Sequence, residues 1–217
     1  MRFSGILALL LEGAGYTLLV TVSCVITGLV TGLGIVALRR LFGKGVARLL
    51  ALYTYVFRGI PVLVLLFIVF FGLPGLGIRP SPLVSMMLSL GLVCGAYLAE
   101  VFRGALDAVD PHEIIAAEVM GLSRLQVILS IEFPQMLRLA VPGMLNEFTT
   151  VLKYSPFGYT VGIPEITKQA MALASTTLRG IEIYTAVGVL YFGIYQLLCL
   201  LMRMIERKFR VPGFATQ

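Results

Sequence analysis

Apolar residues run through this chain in long blocks that charge does not interrupt. Residues 14–38, 59–78, 80–99 and 183–202 contain no charged side chain. Each is long enough for the roughly 20 apolar residues that a membrane-spanning helix needs. A fifth block, about 139–162, is apolar apart from Glu147 and Lys153. The pattern predicts an all-α, polytopic membrane protein, a single transmembrane domain over 1–217. Its five spans are expected at about 14–38, 49–72, 83–100, 139–162 and 183–203. Ahead of the first, Arg2 and an apolar run to Leu11 faintly suggest a signal peptide. Glu12 breaks that run and no small-x-small cleavage site follows, so an interfacial lead-in helix is expected instead.

Between the third and fourth spans the pattern changes. Residues 101–138 are polar and charged, and they read as two short helices joined at a glycine. Asp110-Pro111-His112-Glu113 offers a capping carboxylate, a proline at the first helical position and Glu113 three residues after the cap. Gly121 suits a helix C-terminus, where a left-handed backbone costs glycine little. Ser123, with Gln126 three residues on, opens a second helix by the same capping logic. A capped helical hairpin between spans is suited to docking with something outside the bilayer.

Composition agrees with a lipid solvent. The chain is 59% hydrophobic and 13% charged, with a mean hydropathy of +0.97, whereas a soluble domain carries about 25% charged residues. Cys24, Cys94 and Cys199 all fall inside apolar blocks, so they read as unpaired thiols rather than a disulfide framework. The net charge of +6 does not mark a nucleic-acid protein, because the cations cluster beside spans and not on one polar face. Arg39, Arg40, Lys44, Arg48, Arg103, Arg124, Arg138, Arg203, Arg207, Lys208 and Arg210 lie on one side if five spans alternate, against Arg2, Arg79, Lys168 and Arg179 on the other. The positive-inside rule then puts the N-terminus outside, and the hairpin and C-terminus in the cytoplasm.

No catalytic constellation is present in the sequence. His112 is the single histidine and has no cysteine beside it; Phe42-Gly43-Lys44-Gly45 lacks the spacing and hydroxyl of a phosphate loop. The chain is not expected to hydrolyse ATP, to bind a metal or to act as an enzyme. Polar chemistry sits instead in the fourth span. Asn146 and Lys153 are seven residues apart and share a helix face, with Thr149 and Thr150 on or near it. Ionisable groups at membrane depth usually face a bundle interior or wet cavity and mark a solute path. Lys153 has a second reading, snorkelling or pairing with a carboxylate for structural reasons. Glu147 lies off this face, in reach of a neighbouring helix. Arg58-Gly59-Ile60-Pro61 also has two readings: a span broken at a transport site, or the cytoplasmic start of the second span with Pro61 in its first turn.

These residues together resemble a permease subunit of bacterial ABC importers of the polar amino acid class, over about residues 11–210. Phe57-Arg58-Gly59-Ile60-Pro61 is similar to the family's F-R-G-T-P segment, with isoleucine for threonine. Tyr97-Leu98-Ala99-Glu100-Val101-Phe102-Arg103-Gly104 is similar to Y-x-A-E-x-F-R-G. Ala116-Ala117 followed by Gly121 falls on the E-A-A-x-x-x-G signature of the loop that docks on the ATPase. Phe133-Pro134-Gln135, Pro142, Leu145-Asn146-Glu147-Phe148 and Leu152-Lys153 continue the likeness. Ile115 stands where the signature has glutamate, and Tyr154 where the family usually has an acid after the lysine.

The resemblance implies a type I importer fold in the bacterial inner membrane. It implies a second permease chain, the same or paralogous, two ATPase subunits that bind ATP, and an external solute-binding protein delivering an amino acid; the chain itself would need no cofactor. The expected pathway residues are Lys153, Asn146, Thr150 and Arg58. The expected ATPase-coupling residues are Ala116, Ala117, Gly121, Glu113 and Ser123. Two rival readings fit the residues less well. An ion-coupled carrier would need acids in its spans, and Glu147 is the only one well inside. An assembly subunit without a pathway has little use for the Asn146/Lys153 stripe.

Overall fold

A computed structural model of the chain describes residues 3–42 and 44–209. All regular structure among them is helical. Helix α1 (Phe3–Leu41) has 39 residues and so rises about 58 Å at roughly 1.5 Å per residue, well beyond a hydrocarbon core of about 30 Å. The expected lead-in and first span are therefore one uninterrupted helix. No proline separates them, and Gly13 is a contact rather than a break: a Cβ there would stand 2.8 Å from the Ile166 backbone.

Helices α2 (Lys44–Gly59) and α3 (Val62–Phe67) divide the expected 49–72 span. They meet at a bend of 101°, so one straight helix over 49–72 is not what forms. The cause lies in the sequence: Pro61 has no N–H to donate and pushes the residue before it out of helical geometry. Pro61 itself is extended, with φ −56° and ψ 131°. Helix α3 continues through a π-turn, Ile68–Gly72, and a 3₁₀ turn, Leu73–Leu76, to a left-handed Gly77.

Helix α4 (Pro82–Met86) runs through another π-turn into α5 (Leu92–Asp107). Small residues let α5 press on α1. A Cβ on Gly95 would lie 1.8 Å from the Thr31 hydroxyl, and one on Gly28 would lie 2.5 Å from the Cys94 sulfur. Without a hydrophobic drive between helices in lipid, such close approach is what holds them together. Phe102, Leu98, Leu90, Met86 and Met136 fill the core around this pair.

The polar segment forms α6 (Pro111–Val119) and α7 (Arg124–Val127), which leads through a π-turn into α8 (Phe133–Tyr154). Asp110 caps α6, accepting from the His112 N–H at 2.9 Å. Gly121 ends the turn at φ +88°, and Ser123 with Gln126 forms the full capping box. Glu113 does not complete a box at α6; it accepts instead from the Gln135 amide on α8, which packing brings within reach. Helices α9 (Ile166–Thr177) and α10 (Gly180–Phe209) close the chain and pack with the start of α1 around Leu10, Ile166, Ala170, Leu173, Ile183 and Val187.

Among the described residues, three helical stretches are long and apolar enough to cross a membrane: Leu9–Leu41, Pro82–Asp107 and Gly180–Arg207; the bent α2/α3 pair adds a fourth if it counts as one span. The fourth expected span, about 139–162, corresponds to α8, 22 residues long but carrying Arg138, Glu147 and Lys153. Of the cations that set the expected orientation, Arg2 and Arg210 lie outside the described residues.

Candidate pathway cavity and coupling surface

The bend between α2 and α3 opens a cavity of about 250 Å³. Arg58, Gly59, Ile60, Pro61 and Val62 form one wall; Leu90, Val93, Cys94 and Tyr97 form the second. Glu147, Thr150, Val151 and Tyr154 of α8 form the third. That last set has i, i+3, i+4, i+7 spacing, a single helical face. The Arg58 guanidinium lies 5.0 Å from the centroid of the Tyr97 ring, a cation–π distance. Among the described residues neither Arg58 nor Glu147 is in an ion pair. An arginine and a glutamate thus face one small, largely apolar chamber with no direct ion pair between them.

Of the expected pathway residues, Arg58 and Thr150 line this cavity. Lys153 does not. It points toward α10, its Nζ 5.4 Å from the Tyr195 ring centroid, in a separate apolar recess with Leu152, Tyr191 and Phe192. Asn146 is exposed, and its backbone carbonyl accepts from the Thr149 and Thr150 hydroxyls. At 100° per residue the 146/150/153 face and the 147/150/151/154 face overlap only at Thr150. Glu147 and Tyr154 were not among the expected residues. The signal that finds them is their shared register with Thr150, together with the counter-charge at Arg58.

At the other end, the hairpin offers Ile115, Val119 and Met120 to the surface, the last two more than 80% exposed. Ala116 is exposed beside them while Ala117 is buried, and Gly121 has open space where a side chain would be. Ser123 and Glu113 hold the hairpin's shape through the bonds already described. Behind it lies a buried carboxylate, Glu132, which accepts from Arg40 and Arg124. Burial pushes its pKa upward, but hydrogen bonds and charge from the two arginines outweigh this and hold it below the ordinary value.

The family described as "binding-protein-dependent transport system inner membrane component" matches residues 25–211. The chain belongs to this family. Its relatives include a probable amino-acid ABC transporter permease protein, YckA, of Bacillus subtilis (strain 168), 30% identical over 92% of this chain and 88% of that one. The glutamine transport system permease protein GlnP of Escherichia coli (strain K12) is 32% identical over 94% of each chain. An amino acid ABC transporter crystallised with histidines has a chain of the same fold, with TM-score 0.86, 28% identity and coverage of 96% and 99%. The inward-facing methionine transporter MetNI shares the fold at TM-score 0.82 and 21% identity. The protein is thus a membrane-embedded permease subunit of the ABC importer type, not an ion-coupled carrier, and not the ATP-hydrolysing subunit. Permeases of this family work with ATPase and binding-protein partners.

Proposed function

We propose that this permease forms the import pathway for a polar amino acid, and that the Arg58–Glu147 cavity is where the solute is held. The carrying observation is the pair of opposite, mutually unpaired charges across a chamber of about 250 Å³ at a broken helix. A zwitterion fits that arrangement: its carboxylate faces Arg58, its ammonium faces Glu147, and Thr150 and Tyr154 supply hydroxyls between them. Relatives named for amino acid and glutamine transport support the same solute class.

A second copy or paralogous chain completes the pathway. ATPase subunits grip the exposed apolar face of α6 from the cytoplasm, with Ala116 and Gly121 leaving room for close approach. A solute-binding protein delivers the amino acid to the opposite mouth. ATP binding favours one arrangement of the helices and solute the other, and this differential affinity is what drives the exchange. The N-terminus lies outside and the hairpin inside, a reading supported by the cation asymmetry.

The test is ATP-dependent uptake of labelled amino acids into proteoliposomes holding this chain with its copurified partners. Saturable uptake of at least one polar amino acid is expected, and uptake of none would refute the reading. In a background lacking the native cysteines, R79C and K168C should react with an impermeant thiol reagent from outside and R48C should not; the reverse pattern would invert the orientation.

A further inference from the structure

Glu132 is only 1% exposed, yet it joins elements that are remote in sequence. Arg40, near the end of α1, donates from Nε to Oε2 at 2.7 Å, and its terminal nitrogen donates to Oε1. Arg124, at the start of α7, stands 3.1 Å from Oε1 and also reaches Glu118 of α6 at 3.5 Å. One carboxylate therefore bridges α1 and α7, and through Arg124 the bridge extends to α6. It also sits at the foot of the helix that carries the cavity residues. Fifteen residues separate it from Glu147, about 22 Å at roughly 1.5 Å per residue.

A buried ion pair is weak evidence for a stabilising role, since an apolar replacement of similar volume often serves the fold as well. What the charges add is a directional linkage across three elements that an apolar contact would let slide. We propose that Glu132 is a positioning residue for coupled transport: it locks the hairpin and the end of α1 to the foot of α8. Displacement of α6 by an ATPase then moves the cavity wall as one body. This inference rests on the importer reading above.

The experiment uses the whole complex in proteoliposomes and measures ATP hydrolysed per amino acid imported. E132Q removes the charge and keeps the shape; the double variant R40M/E132L replaces the linkage with an apolar contact. Both should copurify with the ATPase as the unaltered chain does, while ATP consumed per solute rises at least about fivefold, the low end of usual coupling factors. R40K, which keeps the charge but not the two-pronged contact, should give a ratio between those of the unaltered chain and E132Q. If E132Q does not reach the membrane, the double variant decides alone. An unchanged ratio in the folded variants overturns the relay. An unaltered complex that imports no amino acid overturns the importer reading instead.

Discussion

The two ends of α8 treat charge in opposite ways. At its foot Glu132 takes two arginines, and nearby Arg39 and Arg103 both reach Glu100, Arg103 also pairing with Asp107. In the cavity, by contrast, Arg58 and Glu147 face the same space without an ion pair among the described residues. Desolvated charge is costly unless paired, so a chamber that leaves an arginine and a glutamate without an ion pair is suited to a ligand that brings the missing partners. The paired foot is suited to carrying load. Binding and coupling are thus separated along one helix.

That separation can be broken most forcefully in the cavity. Hydrogen bonds to charged groups contribute about 1.5–3 kcal/mol, so R58Q or E147Q should raise the KM for uptake by roughly 10–100-fold. Copurification of the ATPase should stay intact. A loss of assembly in these variants would merge the two regions. At the hairpin, G121R places a side chain at φ +88°, a conformation costing non-glycine residues about 1–2 kcal/mol, and adds bulk to the exposed face. It should weaken ATPase copurification while solute protection of the cavity is unaltered. Normal copurification would remove the hairpin from the coupling surface.

The smallest effect is a pH dependence. Glu132 has a lowered pKa, so its ion pairs contribute fully above its unfolded value of about 4.5 and are lost as pH falls through the lower folded value. Hydrogen exchange in α6 and α7 should therefore be protected evenly from neutral pH down to about 4.5 and loosen only below. Loosening between neutrality and that point would contradict the pairing.

Much of this fold is legible from residue patterns. Charge-free blocks mark the long helices, since backbone in lipid has few other ways to satisfy its bonds. Asp110-Pro111, Gly121 and Ser123 mark the hairpin because caps act within a few residues. Pro61 announces a break in the second span but not its 101° angle, which depends on what packs around it. The cavity face of α8 is less legible still. Thr150 belongs to two overlapping faces, and only the neighbours decide that Glu147 meets the chamber while Lys153 meets Tyr195 on α10. Glu132 and Arg40 lie 92 residues apart, and no local rule joins them; the same holds for Glu113, which a capping pattern assigns to its own helix and packing gives to Gln135.

The most direct measurement is solute protection of single cysteines on α8, in the assembled complex and with the native cysteines removed, since Cys94 itself lines the cavity. T150C faces the chamber and K153C faces α10. A saturating transported amino acid should slow alkylation of T150C severalfold and leave K153C unchanged. Protection of K153C with T150C unaffected would contradict the account, and would put the pathway on the α10 side of the helix.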